Sequence, residues 1–389
     1  MSQDAVLLTG SLGLGHEMMT RSCVELLQRS GWRTRSLDSM SLLGRRSGAA
    51  GERLFGRLVA VPGVYDALHF AHLRTGSRLA DVMDRVASAR LGPALQADLD
   101  RQPADLVLSV FATGASAAAK LKARAPARRT VVLCTDVAVH RLWVEPGTDL
   151  FIVTSAAAAA SVRRYLPRAV VSVVPSPVRS AFYAAPAQDA ARAALGVPPD
   201  TPCVLVIDSG WGFGRLVESV SLLAGAGVQV LAVAGRQQAV ERQLRELART
   251  TPRVRALGFT NRVPELMAAA DVVVALPGAT TCSEARVVGR RLLLLDVMPG
   301  HGRDNLQHEL ELGDADVCGP APAGVAASAL ALLDDVPRPA PRGGSVPRWE
   351  PAFLAALQGI GLDVRSPVPI PAQGSAAEAA TETSGVDST

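Results

Sequence analysis

The sequence predicts an α/β fold in two domains, each built on a parallel β-sheet. Along most of the 389 residues, short apolar runs rich in β-branched residues alternate with helical stretches, as in parallel sheets covered by helices. A glycine-rich loop follows such a run twice, GSLGLG at 10–15 and GWGFG at 210–214. Neither loop has the dinucleotide spacing, so each alone is a weak phosphate signal. Because a chain of this length exceeds what one core usually holds, two domains are expected.

The predicted strands fall into two groups on either side of a proline-rich stretch. In residues 1–175 they are VLLT, TRSLD, DLVLSV, TVVLCTD, DLFIVTS and VVSVVP, and in residues 203–335 they are VLVID, VQVLAVAG, VRALGF, DVVVAL and RLLLLDV. The proline-rich residues 176–202 are interpreted as an interdomain linker. Residues 366–389 are rich in small and acidic residues, so a disordered tail is predicted there.

Cysteine content, charge and hydropathy exclude several classes of protein. The five cysteines are odd in number and widely spread, which suits a reducing compartment. No spacing matches a structural metal site, and His69 with His72 on one helix turn is more typical of a surface. The chain opens without a signal-peptide pattern, and no apolar run approaches the ~18 residues of a membrane span. Residues 1–180 carry 23 basic against 14 acidic side chains. This balance suits an anionic lipid surface, although scattered solvated arginines would also produce it.

A nucleotide site is predicted at the end of the buried strand DVVVAL. The strand stops at Pro277 and Gly278, and Thr280 or Thr281 can cap the helix that follows. Free backbone N–H groups at such a helix start bind phosphate. Glu284, one to two turns into the helix, can accept hydrogen bonds from a ribose diol. An ordinary strand-to-helix connection, in which Glu284 only complements the helix dipole, is the alternative.

Further segments extend this pattern, in order, to most of residues 4–320. They are VLLTGSLGLGHEMMTRSCVELLQRSGWRTRSLD, TDVAVHRLWVEPGTDLFIVTS, VPSPVRSAF, VLVIDSGWGFG and LGFTNRVPELMAAADVVVALPG. Together with residues 271–305 they resemble the GT-B glycosyltransferases, specifically the group of monogalactosyldiacylglycerol synthases and the peptidoglycan N-acetylglucosaminyltransferase. Each segment alone is a weak signal, whereas the ordered series is specific to the group.

The resemblance implies the GT-B architecture of two facing Rossmann-like domains. Residues 1–175 would bind the acceptor, residues 203–335 the nucleotide sugar, and residues 336–365 would form a C-terminal helix that crosses back. The implied reaction moves a hexosyl group from a UDP-sugar to a lipid acceptor such as diacylglycerol. It is expected to invert the anomeric centre and to need no cofactor, metal or nucleic acid. The expected location is the cytoplasm, including the inner face of the plasma membrane.

Three other functions remain open on the sequence. A soluble tailoring glycosyltransferase for a secondary metabolite differs only in its acceptor. A nucleotide-sugar 2-epimerase shares the architecture but needs several acidic residues at the cleft. A catalytically silent nucleotide-sugar-binding protein is suggested by three departures from the pattern of the group. Ala279 replaces a glycine, Phe111 replaces a polar residue, and HGR at 301–303 replaces an amide-and-carboxylate run.

Two residues of the first domain are candidates for the catalytic base. His16 ends the first glycine-rich loop and is predicted to take the proton of the acceptor hydroxyl. Asp136 follows the buried strand VVLC and is the second candidate; it can equally orient His16 or cap the next helix. The resemblance implies that Arg179 neutralises the leaving diphosphate and that the main chain of Phe259 holds the base. The predicted nucleotide-sugar-binding residues are Gly15, Arg179, Ser209, Gly210, Gly212, Phe259, Pro277, Gly278, Thr280, Thr281, Glu284, His301 and Asn305.

Residues 48–91 interrupt the strand-helix alternation and are predicted to reach the membrane and the acceptor. Apolar side chains share one helix side there with arginines beside them, which is typical of a helix on an anionic membrane surface. A helix packed on its own sheet is the alternative. The predicted membrane and acceptor residues are Arg53, Leu54, Phe55, Arg57, Leu58 and Tyr65.

One metal-binding pattern is discounted. Asp314, Ala315 and Asp316 spell the Asp-x-Asp of metal-dependent glycosyltransferases of another fold. The pattern follows Gly313 at a predicted helix end and precedes a short strand, where the resembled enzymes have a plain turn. No metal role is predicted for it.

Overall fold

The computed structural model describes residues 3–11, 14–44, 64–207, 215–335 and 346–368. Its first sheet has six parallel strands in the order β2-β1-β3-β4-β5-β6. They are β1 Asp4–Thr9, β2 Arg33–Asp38, β3 Leu106–Ser109, β4 Arg129–Leu133, β5 Leu150–Val153 and β6 Val171–Val173. The register places Leu7 of β1 beside Ser36 of β2 and Leu108 of β3.

The second sheet repeats this design with the order β12-β11-β10-β7-β8-β9, again all parallel. Its strands are β7 Cys203–Ile207, β8 Gln229–Val233, β9 Val254–Leu257, β10 Val272–Ala275, β11 Arg291–Leu295 and β12 Ala315–Cys318. All residues of β3 and β10 are buried, as expected for inner strands covered by helices on both faces. The predicted α/β fold with two parallel sheets is confirmed.

Helices surround both sheets. They are α1 Leu14–Arg29, α2 Ser39–Leu42, α3 Val64–Leu68 with a π-helical turn His69–Leu73 after it, α4 Arg78–Arg101, α5 Ala112–Leu121, α6 Ala156–Tyr165, α7 Ser180–Tyr183, α8 Gln188–Leu195, α9 Leu216–Gly225, α10 Gln238–Thr250, α11 Val263–Ala269, α12 Ala279–Val288, α13 His301–Leu312, α14 Pro322–Asp334 and α15 Trp349–Gln358. Two 3₁₀ turns, Lys122–Arg124 and Arg141–Trp143, complete the regular structure.

The connection between the two lobes is packed rather than loose. Residues 176–202 contain α7 and α8, and Val178, Phe182 and Leu195 are buried in the core of the second lobe. α15 returns to the first lobe, where Trp349 and Phe353 share the core under β1. The Trp349 Nε1 group donates a hydrogen bond to the Val178 carbonyl at 2.9 Å. The prolines of this stretch therefore belong to a folded junction.

The start of the predicted tail is held by the first lobe. Val368 N donates to the Arg29 carbonyl at 3.0 Å, and Arg29 Nε donates to the Val368 carbonyl at 2.8 Å. The rest of the predicted tail, residues 369–389, lies outside the described residues.

Candidate active site

The carboxyl ends of both sheets open into one cavity of about 480 Å³ between the lobes. Segments after β1, β3 and β4 line its first-lobe side, and segments after β9, β10 and β11 line the other. Open α/β sheets bind ligands at this edge. The predicted site residues that line the cavity are Gly15, His16, Tyr65, Asp136, Arg179, Phe259, Gly278, Thr280, Thr281, Glu284, His301 and Asn305.

Of the predicted site residues that the structure describes, one does not line this cavity. Pro277 precedes Gly278 without lining the space. The predicted diphosphate-loop residues and most of the predicted membrane residues lie outside the described residues, and no geometry is assigned to them. These are Ser209, Gly210, Gly212, Arg53, Leu54, Phe55, Arg57 and Leu58.

His16 is held as a neutral imidazole in the first turn of α1. Its Nδ1 forms a hydrogen bond with the Val110 carbonyl at 3.0 Å, and Thr135 Oγ1 lies 3.2 Å from the same nitrogen. Because a carbonyl only accepts, the proton of the neutral ring is on Nδ1 and the lone pair is on Nε2. The Phe111 ring packs edge-on against the imidazole at 5.0 Å. Burial lowers the pKa of His16 despite the opposing charge of Asp136. A neutral ring with its Nε2 lone pair free to accept a proton is compatible with the predicted role of general base.

Asp136 is an ionised carboxylate among three imidazoles. It accepts a hydrogen bond from Trp143 Nε1 at 2.7 Å, and His140 Nε2 lies 3.5 Å from the same oxygen. Burial acts to raise the pKa of Asp136, but the electrostatic interactions with His301, His140 and His16 and the Trp143 hydrogen bond outweigh it and lower the pKa. A carboxylate of low pKa is a poor base at neutral pH. Of the predicted roles for Asp136, the structure favours support of His16 over proton abstraction.

The N-terminus of α12 offers backbone donors to an anion. α12 begins at Ala279 after the N-cap residue Gly278, and its first internal hydrogen bond runs from Cys282 N to Gly278 O. The N–H groups of residues 279–281 are therefore not used inside the helix. The prediction that Thr280 or Thr281 caps α12 is wrong, because both lie in its first turn. Thr280 Oγ1 instead donates to the Gly15 carbonyl of the first lobe at 3.4 Å.

Ala279 does not strain this turn. No non-glycine residue in the described ranges has a positive φ, and Ala279 is helical. The replacement of the group's glycine by Ala279 is therefore compatible with the backbone conformation here. Gly278 also has an ordinary φ of −88°, and a Cβ built on it would meet no atom within 4 Å. This glycine leaves space in the cavity next to the free N–H groups.

Glu284 and Arg179 form a buried ion pair at the side of the cavity. Arg179 Nη2 lies 3.2 Å from Glu284 Oε1, and the Arg179 guanidinium also covers the Phe182 ring at 4.8 Å. Burial raises the pKa of Glu284 to about 7, although the charge of Arg179 opposes the shift. A carboxyl group whose pKa lies this close to pH 7 readily changes its ionisation when a ligand brings a hydrogen-bond donor.

Asn305 and Phe259 are two further residues predicted to bind the nucleotide sugar. Asn305 connects the two lobes, and Phe259 borders the cavity. Asn305 Oδ1 accepts a hydrogen bond from Val137 N at 3.4 Å, which joins α13 to the segment after β4. Phe259 is half exposed under the Arg236 guanidinium, which pairs in turn with Glu17 of α1 at 2.9 Å. The role of the Phe259 main chain stays a prediction.

The structure gives Tyr65 and His69 contacts that the sequence did not predict. Tyr65, predicted to meet the membrane or the acceptor, is buried, and its hydroxyl lies 3.2 Å from His301 Nδ1. His69, interpreted as a surface residue, is fully buried, and its Nε2 lies 3.0 Å from Asp304 Oδ2 in the second lobe. No local pattern could reveal these contacts, because the partners are 236 and 235 residues apart in the chain.

The rest of the cavity wall is strongly apolar and rich in methionine. The chain has seven methionines, and the five that line the cavity are Met18, Met19, Met40, Met83 and Met298. Leucines and the Trp143 ring lie between them. Unbranched, polarisable methionine side chains adapt to ligands of varied shape, which suits a flexible apolar ligand.

The two aspartates of the Asp-x-Asp pattern lie outside the cavity, and each one pairs with an arginine. Asp314 accepts from Arg286 Nε at 3.1 Å, and Asp316 lies 3.5 Å from Arg291. Among the described residues, no three His, Cys, Asp or Glu side chains are grouped as metal ligands would be. Independence from metal stays a prediction.

Two family models match the chain on either side of this cavity. Residues 70–173 match monogalactosyldiacylglycerol (MGDG) synthase, and residues 213–318 match the glycosyltransferase family 28 C-terminal domain. Each lobe is thus similar to a glycosyltransferase family over part of its length. The processive diacylglycerol beta-glucosyltransferase of Bacillus pumilus is 26% identical over 192 residues, which cover 48% of this chain and 50% of that protein. The chain thus matches about half the length of this curated relative.

Solved glycosyltransferase-fold structures share the fold of this chain over nearly its whole length. Sucrose-phosphate synthase from Thermosynechococcus elongatus has a TM-score of 0.55 at 16% identity, covering 92% of this chain and 96% of that one. Anabaena HepE in complex with UDP and glucose has a TM-score of 0.50 at 16% identity, covering 91% and 94%. At these identities the likeness concerns the fold, and it confirms the predicted GT-B architecture.

A helix that crosses a bilayer needs about 20 mainly apolar residues. No helix within the described ranges is both long enough and apolar enough to do so.

Proposed function

We propose that the chain transfers a hexosyl group from a UDP-sugar to a hydroxyl group of a lipid acceptor such as diacylglycerol. The reaction inverts the anomeric centre and uses no metal ion. One observation carries the proposal: a neutral imidazole of the first lobe, His16, shares a cavity with the free N-terminus of α12 and the Arg179–Glu284 pair of the second. The MGDG synthase match and the diacylglycerol glucosyltransferase relative support the choice of acceptor.

The second lobe supplies the groups that a UDP-sugar needs. The N–H groups of residues 279–281 and the helix dipole bind the diphosphate, and Arg179 stabilises the negative charge of departing UDP. Glu284 accepts hydrogen bonds from the ribose diol. HepE, which has the same fold, holds UDP and glucose. These assignments give a ligand to the N-terminus of α12, to Arg179 and to Glu284.

The first lobe supplies the base. His16 Nε2 takes the proton of the acceptor hydroxyl while the acceptor oxygen bonds to the anomeric carbon. The bond from that carbon to the diphosphate breaks in the same step, and the electron pair leaves with UDP. Asp136 stabilises the imidazolium ion that forms on His16. A single displacement from the opposite face inverts the configuration.

The acceptor enters from a membrane surface. α4 carries an exposed apolar stripe formed by Leu79, Val82, Met83 and Val86, of which Met83 also lines the cavity. Arg78, Arg85 and Arg90 are exposed on the same helix. Apolar side chains beside arginines suit the headgroup region of an anionic bilayer. The stripe would place the methionine-lined wall at the lipid surface, on the inner face of the plasma membrane.

UDP release from a panel of UDP-hexoses, with and without vesicles of diacylglycerol and anionic lipid, tests this function. We expect lipid-dependent release from at least one donor, a loss of roughly 10²–10⁴-fold in kcat for His16→Ala, and a raised donor KM for Glu284→Gln. His308→Ala, a histidine of α13 that does not line the cavity, is the control. Release that needs an added soluble hydroxyl-bearing acceptor, and no lipid, would favour the soluble tailoring enzyme. Tight UDP-sugar binding with no release and no effect of His16→Ala would favour the silent binding protein.

A further inference from the structure

A segment of the first lobe completes the second lobe's side of the cavity. This crossing segment comprises Tyr65–Arg74, that is, most of α3, the π-helical turn and the residue after it. Its polar side chains bind residues 300–304 at the start of α13 rather than their own sheet. The contacts exist only because the lobes meet, so they connect the geometry of one lobe to that of the other.

Asp66 caps α13 from the other lobe. Its Oδ1 accepts a hydrogen bond from Gly300 N at 2.6 Å, and its Oδ2 lies 3.1 Å from Arg303 Nη2. Gly300 is the N-cap residue of α13 and has no side chain with which to cap it. In a capping box, a carboxylate of the same helix accepts from the N-cap N–H and complements the helix dipole. Here Asp66 performs this task across the cleft.

Tyr65 fixes the ring of His301, the first residue of α13. The hydrogen bond between Tyr65 Oη and His301 Nδ1 occupies one ring nitrogen, and the rings pack edge-to-face at 5.9 Å. Gly300 has a φ of +63°, and a Cβ built there would lie 2.4 Å from the Tyr65 ring. The ring therefore sits directly on the glycine backbone. His301 Nε2 has no hydrogen-bond partner among the described residues, and His301 lines the cavity.

Two further residues hold the crossing segment in place. His69 Nε2 and Arg74 Nη1 both lie 3.0 Å from Asp304 Oδ2, and His69 is fully buried. The Asp304 carboxylate is partly buried, and two nitrogen groups that hold it in place order both elements. Tyr65 and Asp66 are thereby presented to Gly300 and His301 in a fixed register.

We propose that Tyr65 and Asp66 are positioning residues for the donor sugar. They fix the His301 ring so that its Nε2 meets the hydroxyl groups of the hexosyl unit. Residues of the first lobe therefore control which sugar the second lobe selects. The inference rests on the proposed function, because it assigns the hexosyl unit of the UDP-sugar to the part of the cavity beside His301. UDP itself binds at α12 and does not depend on the crossing segment.

The test compares Tyr65→Phe, Asp66→Ala and Asp66→Asn with the controls Tyr183→Phe and Asp314→Asn, which remove the same groups away from the cavity. Donor KM and kcat are measured for UDP-glucose and UDP-galactose, and calorimetry gives the affinities of each and of UDP alone. We expect Tyr65→Phe and Asp66→Ala to raise the KM for the preferred donor roughly tenfold, as loss of one such hydrogen bond does. The preference between the two sugars shrinks, and UDP affinity stays unchanged. Asp66→Asn retains most of the effect of Asp66, since its side-chain oxygen still accepts from Gly300 N.

A double-mutant cycle separates positioning from stability. If Tyr65 acts through His301, the effects of Tyr65→Phe and His301→Ala on donor KM are not additive. Donor KM and sugar preference equal to those of the controls would overturn the inference. If wild type turns over no UDP-hexose, the proposed function fails separately. The inference then stands only if Tyr65→Phe narrows the difference in affinity between UDP-hexose and UDP, and it falls if that difference is unchanged.

Discussion

At the scale of single residues, the site depends on histidines that burial keeps neutral. His16, His140 and His301 all have pKa values lowered by burial, and all three interact with the charge of Asp136. A neutral imidazole is needed at His16 because only the neutral form accepts a proton. His140 has no such role in the proposed reaction. Because His140 is buried as a neutral ring, it makes the folded protein less stable at acid pH.

The first prediction concerns His140. Burial lowers its pKa from 6.5 to about 4, against the charge of Asp136, with His69, His301 and Arg74 adding to the shift. Between these two pH values the unfolded chain binds more protons at this site than the folded one. The contribution of neutral His140 to the free energy of unfolding is therefore complete above pH 6.5. It decreases as pH falls toward 4, by on the order of 3 kcal/mol. His140→Leu should remove much of this loss, measured as the fall in Tm between pH 7 and 5.

His308→Gln serves as the control for that measurement, because it changes a histidine outside the cavity. An acid-induced fall in Tm that is the same in wild type and His140→Leu would show that His140 does not titrate as the structure indicates.

The second prediction concerns Glu284, whose pKa is raised by burial to about 7. Ribose hydroxyls donate to the ionised carboxylate, so UDP binding lowers this pKa and releases protons. At pH 7 about half a proton should leave per UDP bound, and affinity should rise with pH through 7. Calorimetry in buffers of different ionisation enthalpy measures the release. Glu284→Gln provides the background from UDP itself, and equal proton release in both proteins would contradict the ribose assignment.

At the scale of elements, the sequence predicted the order of strands and helices but not how each helix begins. The strand DVVVAL, the turn at Pro277 and Gly278 and the position of Glu284 all follow from local patterns. The cap of α12 does not, because threonine is a good N-cap, whereas the structure has Gly278 at this position and Thr280 donates to the Gly15 carbonyl of the first lobe instead.

The third prediction concerns the apolar stripe of α4. Leu79, Val82 and Val86 are 44%, 46% and 49% exposed. If these side chains enter the headgroup region, replacing all three by serine removes apolar surface that the bilayer would bury. Binding to anionic vesicles should then fall by roughly 10- to 100-fold. Vesicle flotation measures the bound fraction.

A matched control removes apolar surface elsewhere. Val170→Ser with Val173→Ser changes two exposed valines at the edge strand β6. Vesicle binding that drops equally in both variants, or in neither, would refute the role of the stripe.

At the scale of the whole molecule, the sequence predicted two Rossmann-like lobes because strand periodicity and ordered motifs are local. The composition of the cleft was only partly predictable. His16, Asp136, Glu284 and Arg179 follow strand ends or glycine turns and could be found there. The crossing segment could not, because its contacts join residues more than 200 positions apart and carry no local pattern.

The two sheets and their helices bring acceptor and donor groups into one cavity, and this is the central claim. The decisive measurement is the identity of the product formed from an α-configured UDP-hexose and diacylglycerol vesicles, determined by mass spectrometry and NMR of the extracted lipid. A β-linked hexosyl-diacylglycerol that is formed by wild type and lost in His16→Ala is the predicted result. An α-linked glycolipid, or UDP and free hexose without any glycolipid, would contradict the account.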